Sequence, residues 1–423
     1  MNKEKIIILT NSFPYTPEDT FLTAEIFYLS QKFRQIDIIA SNWAVKHIKF
    51  WKKEKFEVPT NIKIRTDIFK KIYFFSFLKY FGLLMVPVIL QKKFRKDLIL
   101  EIKNNYKYGL LAILRIVQKI QEAFLVYSIL ERSYQNEKNI FYCYWLNSSA
   151  MAVSYLDPEK NMRFSRVHGY DLYAERYSPA YIPFQGCMLK KLDYVVPISL
   201  HGRGYILKKY PDYQEKIVLH RLGVKDGKNL SFSSPDETLR IVTCSSISKV
   251  KRLDLFARAF IRLGMPVYWR HFGDGPQEKQ VTEILMGLPE NLEYDFSGHV
   301  PNNHIHEYYQ NNPVDLFINV SAFEGLPVSI MEALSYGISV LATDAGGTGE
   351  MVNDKNGYLI PKQSSPQDIV KKIEEFYCLS REEKLEKKQY AYSTWKQYVN
   401  CDKQYPLFVD WIEQKAREKL LLS

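Results

Sequence analysis

Two glutamates, Glu324 and Glu332, stand eight residues apart in the segment EGLPVSIMEALSYGISVLATDAGG. A strand pattern, VDLFINVS, precedes them, so Glu324 falls in the loop after a strand and Glu332 in the second turn of the next helix. Pro327 fits the first helical position, and Gly337 fits the residue that ends the helix. No Ser, Thr, Asp or Asn directly precedes Pro327, so we expect the amides of the first turn to remain available to an anion.

These residue types indicate a particular kind of ligand. Carboxylates accept hydrogen bonds from hydroxyl groups, and a free helix N-terminus attracts phosphate. A single glutamate is more often a solvated surface residue. Two of them around such a helix start predict a site for a molecule with a phosphate and many hydroxyls, and a nucleotide sugar is such a molecule.

The elements that must position these residues form two series. Apolar runs alternate with longer helix-like stretches, which predicts parallel strands buried on both faces. The predicted strands cover 5–10, 36–40, 139–145, 162–168, 193–199, 239–245, 266–273, 314–321, 338–344 and 356–361. We therefore expect an α/β protein with two Rossmann-like domains and a ligand-binding cleft between them, because ligands bind beyond the carboxyl ends of parallel strands.

The positive charge is concentrated in one part of the chain. The net charge is +11, yet residues 46–119 alone contain 18 Lys and Arg and only five Asp and Glu. This stretch includes an apolar run, 72–90, that Lys79, Gly82 and Pro87 interrupt too often to predict a spanning helix. Two interpretations stay open, namely helices lying on an anionic membrane surface and a solvated basic face over a buried helix. Nucleic acid is disfavoured as a partner because no nucleic-acid-binding motif accompanies the charge.

The cysteines indicate a reducing compartment. The five cysteines are widely spaced and form no C-x-x-C pair, which argues against a disulfide framework or a zinc site. The first residues, MNKEKIIILTNSFP, predict a strand rather than a secretory signal. We therefore expect a cytoplasmic protein.

The stretch from 314 to 361, VDLFINVSAFEGLPVSIMEALSYGISVLATDAGGTGEMV followed by NGYLIP, resembles the signature of retaining glycosyltransferase family 4, whose members have the GT-B fold. By that resemblance Glu324 contacts the donor sugar and Glu332 contacts the ribose. The resemblance also implies that main-chain amides of the same loop meet the diphosphate and the sugar, namely those around Gly325, Leu326, Pro327 and Val328.

Three shorter motifs resemble further parts of the donor domain in this family. TCSSISKVKRLDLFARAF, 243–260, resembles its first strand and helix, and Lys251 matches a lysine that grips the diphosphate. Ser246 occupies the position where many members have an arginine that also binds the diphosphate. Arg252 is expected to help bind the diphosphate instead. HFGDGP resembles the turn that places Gly273 near the nucleotide, and FSGHV the loop that holds the base through main-chain groups near Val300.

In the first half of the chain, SRVHGYDLY places His168 at the end of a predicted strand, where we expect it to face the cleft. Family members often have a histidine here that contacts the donor sugar near the reacting carbon. Asp171 is expected to orient His168 or an acceptor hydroxyl. Ser12 and Phe13, which are expected to orient the acceptor or the sugar, lie in the loop after the first strand, where many members have a Gly-rich loop close to the phosphates.

The resemblance divides the chain into four parts. It implies an acceptor-side domain 1–222, a linker 223–238, a nucleotide-sugar-binding domain 239–391 and C-terminal helices 392–423 that return to the first domain. Within the first domain, 46–119 is the basic and apolar region. The Gly-, Ser- and Asp-rich composition of the linker supports this division, as does the total of 423 residues, since one core rarely exceeds about 300.

The implied reaction moves a hexose-type sugar, with retained anomeric configuration, from a nucleotide diphosphate sugar to a saccharide or a polyisoprenoid-linked saccharide. We expect a UDP-sugar rather than a GDP-sugar, a role in capsule or exopolysaccharide assembly, and a location at the inner face of the cell membrane. No D-x-D triplet occurs in the chain, so no metal or other cofactor is expected. The residues expected to act in catalysis are His168, Glu324 and Lys251.

Proteins of the same or a related fold also have other functions. A non-catalytic GT-B subunit that stabilises a partner transferase is the main alternative, and Ser246 is its best support. Sugar-nucleotide epimerisation or phosphorolysis would use the same fold, although no motif for the lysine-bound cofactor of glycogen-type phosphorolysis is present. A Rossmann dehydrogenase is disfavoured because neither half has G-x-G-x-x-G after its first strand.

Overall fold

The computed structural model describes residues 5–14, 21–41, 59–76 and 83–420. Over these residues the strands are β1 (Lys5–Thr10), β2 (Gln35–Ala40), β3 (Ile62–Ile64), β4 (Asn139–Cys143), β5 (Asn161–Val167), β6 (Tyr194–Pro197), β7 (Leu239–Cys244), β8 (Val267–Phe272), β9 (Leu292–Phe296), β10 (Leu316–Asn319), β11 (Ser339–Thr343) and β12 (Gly357–Ile360). The α-helices are α1 (Phe21–Lys32), α2 (Thr66–Ser76), α3 (Met85–Leu90), α4 (Lys92–Asn105), α5 (Leu110–Tyr134), α6 (Ser148–Ser154), α7 (Gln185–Lys191), α8 (Leu200–Lys209), α9 (Leu253–Phe260), α10 (Glu278–Ile284), α11 (Asn302–Asn311), α12 (Val328–Ser335), α13 (Pro366–Tyr377), α14 (Arg381–Tyr398) and α15 (Cys401–Leu420).

The strands form two six-stranded sheets in which every described pair is parallel. The strand orders are β3-β2-β1-β4-β5-β6 and β9-β8-β7-β10-β11-β12. Both sheets begin in the middle and grow outwards in both directions, which is the Rossmann order. The predicted α/β class with two parallel sheets is therefore confirmed.

The apolar strands are buried on both faces, as their sequences predict. In β1, Ile6 and Ile8 belong to one core cluster, which includes α1 and α15. Ile7 and Leu9 point to the other cluster, which includes α5. Because successive side chains of a strand point to opposite faces, a run of apolar residues is stable only between two helical layers.

All ten predicted strands are present, and the two strands that the apolar pattern missed lie at sheet edges. β3 has the sequence IKI and β9 has LEYDF, and both contain exposed residues. An edge strand has one neighbour and partial contact with water, so its sequence need not be a continuous apolar run.

The chain folds into two compact units. The first unit comprises 1–220 and 405–423, and the second comprises 221–404. The segment 223–238, predicted as a linker, packs within the second unit, where the Lys388 ammonium donates to the Ser231 carbonyl oxygen at 2.8 Å. The C-terminal helix α15 packs on the first sheet through Phe408 and Ile412, which share a core cluster with Phe164.

Candidate functional site

In the second unit, Glu324 lies in the loop between β10 and α12 and is only 7% exposed. The Lys251 Nζ atom donates to Glu324 Oε1 at 2.7 Å, and Asn319 Nδ2 donates to the same oxygen at 3.3 Å. Burial alone would raise the pKa of Glu324, but the charge of Lys251 and these hydrogen bonds offset it and leave the pKa below its usual range. Glu324 is therefore an oriented, ionised carboxylate.

The glycine pair Gly346–Gly347 explains why this loop has a fixed position. Gly346 has φ = +59°, and a Cβ atom there would lie 1.8 Å from the carbonyl oxygen of Glu324. Gly347 donates its N–H to the Gly325 carbonyl oxygen at 2.9 Å. The turn after β11 thus approaches the glutamate loop so closely that only glycine fits.

The helix α12 begins beside this carboxylate. It starts at Val328, one residue later than predicted, so Pro327 is the N-cap residue and not the first helical residue. No side chain caps the first turn. Leu326 is buried below the loop. The N–H groups of the first turn are consequently available to an anion, and the helix dipole favours one.

The same helix ends as the sequence predicts. Gly337 has φ = +65°, its N–H bonds the Leu334 carbonyl, and the Ile338 N–H bonds the Ala333 carbonyl. This pair of bonds is a Schellman motif, which needs a residue in the left-handed region.

Glu332 lies in the second turn of α12 and is also buried, at 6% exposure. Asn302 Nδ2 donates to Glu332 Oε1 at 2.9 Å, and His306 Nε2 lies 3.8 Å from the same oxygen. Burial raises the pKa of Glu332 to about 7, because a single neutral hydrogen bond does not replace lost hydration. Glu332 therefore holds its proton more readily than Glu324.

The loop after β7 contains the three predicted phosphate-binding residues, and the structure gives them different environments. Lys251 pairs its charge with the Glu324 carboxylate. Arg252 donates to the carbonyl oxygens of Val320, Lys362 and Ser321 at 2.7, 2.8 and 3.4 Å. Ser246 is exposed, and its Oγ lies 3.2 Å from Ser248 Oγ. The Arg252 guanidinium, expected to help bind the diphosphate, is thus directed to main-chain carbonyls instead, and Arg252 is itself the left-handed residue before α9.

Two further predicted segments meet at the edge of the same sheet. Gly273 donates its N–H to the Gly298 carbonyl oxygen at 2.8 Å, so the HFGDGP turn contacts the loop that contains Val300. Gly273 has φ = +133°, and a Cβ atom there would lie 1.9 Å from the Ser245 carbonyl oxygen. The loops after β7, β8 and β9 are therefore held together by main-chain contacts at the carboxyl edge of the sheet, where parallel sheets bind their ligands.

In the first unit, His168 follows β5 and is 8% exposed. Its ring packs against Trp145 and Tyr144, with centroids 4.4 and 4.9 Å away, and neither ring nitrogen has a hydrogen-bond partner among the described residues. Burial and the nearby charge of Arg166 lower the pKa of His168 to about 3. The imidazole is therefore neutral and can donate or accept one hydrogen bond.

Asp171 orients the main chain around His168 rather than its ring. The carboxylate accepts the His168 N–H and the Leu146 N–H, each at 2.6 Å. Burial raises the pKa of Asp171 to about 6, although these two bonds oppose the shift. Asp171 thus joins the loops that follow β4 and β5.

The loop after β1 does not present the expected side chain. Phe13 is 2% exposed and belongs to the core cluster of Ile6 and Leu22. Ser12 is also buried. Phe13 is apolar and adjacent to a strand, so packing takes its side chain into the core, and neither Phe13 nor Ser12 presents an exposed side chain to a ligand.

The structure also shows a pocket of about 460 Å³ in the first unit that the sequence patterns did not indicate. Residues after β1, β2, β4 and β5 line it, and α5 supplies Arg115, Lys119 and Glu122. These three residues are spaced four and then three apart, so they lie on one face of a helix. This spacing is the sequence feature that could have indicated the pocket. Within the basic stretch 46–119, net charge alone does not distinguish such a face from a solvated one.

No group of three or more His, Cys, Asp or Glu side chains is positioned to hold a metal ion within the described ranges. The described helices include none that is both long enough and apolar enough to cross a bilayer.

Comparison with known proteins finds one family profile that matches part of the second half of the chain. Residues 228–394, less than half of the 423, match the sequence profile of the family described as glycosyl transferases group 1. The matched segment contains Lys251, Gly273, Glu324 and Glu332. The first 227 residues, which include the pocket, lie outside this match.

Among curated proteins, the chain is 27% identical over 209 residues to the "putative colanic acid biosynthesis glycosyltransferase WcaL" of Escherichia coli K12. This alignment covers 47% of the chain and 51% of the relative. The chain is 25% identical over 173 residues to the "O-antigen biosynthesis glycosyltransferase WbnH" of Escherichia coli, which covers 38% of the chain and 48% of the relative. The chain thus spans about half the length of the curated relatives it matches.

Among solved structures, the apo form of the lipopolysaccharide outer core galactosyltransferase WaaB superposes with a TM-score of 0.65 at 15% identity, over 97% of this chain and 99% of that one. The similarity at this level of identity is one of fold. With its two parallel six-stranded sheets, the chain has the α/β architecture of GT-B glycosyltransferases.

Proposed function

We propose that this chain, whose residues 228–394 match glycosyl transferases group 1, is a retaining hexosyltransferase of family 4. It would move a sugar from a nucleotide diphosphate donor, a UDP-sugar in preference to a GDP-sugar, to a saccharide or lipid-linked saccharide during cell-surface polysaccharide assembly. One observation supports this most: Lys251 and Glu324 pair at 2.7 Å beside the uncapped N-terminus of α12.

The geometry suggests a role for each group in donor binding. The ionised Glu324 accepts hydrogen bonds from sugar hydroxyls, and Glu332 accepts them from the ribose. An ammonium group has three N–H donors, so Lys251 can keep its bond to Glu324 and still meet a phosphate oxygen. The N–H groups of Val328 and its neighbours bind the other phosphate oxygens.

The proposed reaction breaks the bond between the anomeric carbon and the diphosphate oxygen. The acceptor hydroxyl oxygen forms the new bond from the same face, and its proton passes to the departing diphosphate. Negative charge grows on that diphosphate, so Lys251 and the α12 amides stabilise the transition state. The neutral His168 hydrogen-bonds the sugar near the reacting carbon.

Nucleotide binding tests the donor site. We expect UDP to bind more tightly than GDP, and Glu332→Ala to lose this binding in calorimetric titrations. Glu293→Ala is the matched control, because Glu293 is an exposed carboxylate in the same unit. If neither nucleotide binds the wild-type protein, the accessory-subunit alternative, supported by Ser246, takes precedence.

We also propose that the protein acts at the inner face of the cell membrane, docked through the surface formed by α2–α5. Of the 23 large apolar side chains exposed among the described residues, 12 lie between Phe74 and Leu114. Positions 46–58 and 77–82 of the basic stretch lie outside the described residues.

The charges on α4 favour an anionic bilayer as the occupant of this surface. Four of its five cations, Lys92, Arg95, Lys96 and Lys103, are exposed, whereas the Lys93 ammonium donates to the Tyr127 hydroxyl at 2.6 Å. Its two acids are used inside the fold, since Asp97 accepts from Tyr155 and Glu101 accepts from the Phe184 N–H. The outward charge of α4 is therefore positive, and it complements anionic headgroups.

Vesicle flotation tests this docking. The protein should bind vesicles with anionic lipid at low salt and leave them as salt is raised, because screening weakens the attraction. Binding should be weak to vesicles of neutral lipid alone. A protein that ignores anionic vesicles at low salt would refute membrane docking and leave the donor site unaffected.

A further inference from the structure

The pocket of the first unit lies where a parallel sheet binds its ligands. Asn11 follows β1, Ser41 follows β2 and Trp145 follows β4, and all three line the pocket. β1 and β4 are neighbours from which the sheet grows in opposite directions. Ligands of such sheets bind beyond the carboxyl ends of the strands at this reversal point.

One cation in the pocket has no hydrogen-bonded partner among the residues that the structure describes. Lys119 is partly buried and makes no hydrogen bond or ion pair within the described part of the chain. Burial lowers the pKa of Lys119 to about 8, although Glu101, Asp171 and Glu122 lie near enough to oppose the shift. The Lys119 ammonium therefore lies near three carboxylates without forming an ion pair with any of them, and its N–H groups remain able to donate to a ligand.

The other polar groups of the pocket are already oriented by the protein. Glu122 accepts from Ser148 Oγ at 2.7 Å and from Gln118 Nε2 at 2.9 Å. Arg115 donates to the carbonyl oxygens of Ser178 and Pro179 at 2.9 and 3.4 Å. Lys119 is therefore the lining cation whose charge remains available to a ligand.

The same helix connects the pocket to the exposed apolar surface. At the start of α5, Leu111 and Leu114 are exposed, and Arg115 and Gln118 lie four residues after them on the same helix face and line the pocket. Lys119 follows directly. A ligand with an apolar chain and an anionic head would thus find leucines at one end of α5 and a free ammonium one to two turns further on.

We propose that this pocket binds the phosphate or diphosphate head of a lipid-linked acceptor, with Lys119 as its ion-pair partner and the apolar chain directed to the start of α5. The inference rests on the proposed transferase function and names the class of acceptor. Lys119 is here a binding residue, and it takes no part in the bond rearrangement.

Binding of a soluble short-chain prenyl diphosphate, followed by calorimetry, tests the assignment. The wild-type protein should bind it more tightly than inorganic diphosphate or the corresponding prenyl alcohol, because only this probe has both parts. Lys119→Gln should weaken binding at least about tenfold, since a hydrogen bond to a charged group is worth about that much or more. Lys119→Arg should retain most of the affinity, and Lys208→Gln, at an exposed position of α8 outside the basic stretch, should match the wild type.

Two results would overturn the proposal. One is unchanged affinity in Lys119→Gln; the other is affinity that disappears in Lys251→Met instead, which would place the probe in the donor site. Lys119→Gln removes an unpaired charge, so its melting temperature should not fall, and loss of binding cannot be ascribed to unfolding. UDP binding is measured on the same samples, so failure of the transferase assignment appears separately, as absent nucleotide binding.

Discussion

At the scale of single residues, Glu324 in the loop before α12 and Glu332 in α12 are both buried, yet their pKa values shift in opposite directions. Glu324 has a cation at 2.7 Å, and its pKa lies below the usual range. Glu332 has only the neutral Asn302 at hydrogen-bond distance, and its pKa is raised to about 7. The proximity of Lys251, rather than burial, thus distinguishes a permanent carboxylate from one that titrates near neutrality.

We predict that Glu332→Gln stabilises the ligand-free protein at high pH and weakens nucleotide binding. The folded state holds the Glu332 proton more tightly than an unfolded glutamate, whose pKa is 4.5. Stability from this group is therefore complete below pH 4.5 and is lost as the pH rises through 7, by at most about 3 kcal/mol. The melting-temperature advantage of the variant should grow from pH 5 to pH 8, and an advantage that does not change with pH would contradict the prediction.

We predict that Lys251→Met reduces the rate of sugar transfer or donor hydrolysis by about 10²–10³, the usual loss when one stabilising donor is removed. The variant keeps the apolar stem but leaves Glu324 buried without its cation. Lys249→Met, at an exposed position two residues away, should retain the wild-type rate. Equal rates in the two variants would show that Lys251 does not act on the diphosphate. Rates are measured with the donor that the nucleotide titrations identify.

At the scale of elements, the position of Glu324 depends on a turn about twenty residues further along the chain. Gly346 touches the Glu324 main chain, and Gly347 is bonded to Gly325. Arg252 supports the loop from the other side through the carbonyls of Val320 and Ser321. Strand ends thus supply the positions, and main-chain contacts between loops fix the side chains.

We predict that Gly346→Ala lowers nucleotide affinity more than tenfold and also lowers stability. Its methyl group would overlap the Glu324 carbonyl oxygen, and a left-handed conformation costs a non-glycine residue about 1–2 kcal/mol. Gly204→Ala is the matched control, because Gly204 lies in α8 with open space around it, and this change should stabilise by about 1 kcal/mol. Thermal melts and nucleotide titrations of both variants test this prediction, and unchanged nucleotide affinity in Gly346→Ala would refute it.

At the scale of the whole molecule, a buried ion pair joins the layers of the first unit. Arg166 of β5 and Glu25 of α1 are fully buried and pair at 2.8 Å. Tyr142 of β4 bonds both of them, and the guanidinium lies 4.0 Å from the ring centroid of Phe408 in α15. Residues from four elements, including the C-terminal helix α15, therefore form one buried contact network.

We predict that Arg166→Met lowers the free energy of unfolding of the first unit by about 3–5 kcal/mol, because it leaves the Glu25 carboxylate buried without its cation. The double variant Arg166→Met/Glu25→Gln should recover part of this loss. Arg132→Met, at an exposed position of α5, should change little. Urea unfolding provides the measurement, and a single variant as stable as the wild type would refute the prediction.

The sequence by itself determined the features that depend on neighbours along the chain. Apolar runs predicted ten of the strands, because burial on both faces needs an unbroken run. The loop of Glu324, the helix of Glu332 and the end of that helix at Gly337 followed from local turn chemistry. The edge strands β3 and β9 escaped this reasoning, since partial exposure at a sheet edge allows polar residues.

Only the tertiary structure decided which distant residues meet. Lys251 and Glu324 are 73 residues apart, yet their charges form one ion pair. Arg252 is adjacent to Lys251 but bonds main-chain carbonyls, and Phe13 enters the core instead of facing a ligand. The pocket lined by Lys119 forms only because α5 packs over the strand ends. These contacts arise from packing between elements. A sequence pattern does not indicate the direction in which a side chain points within that packing.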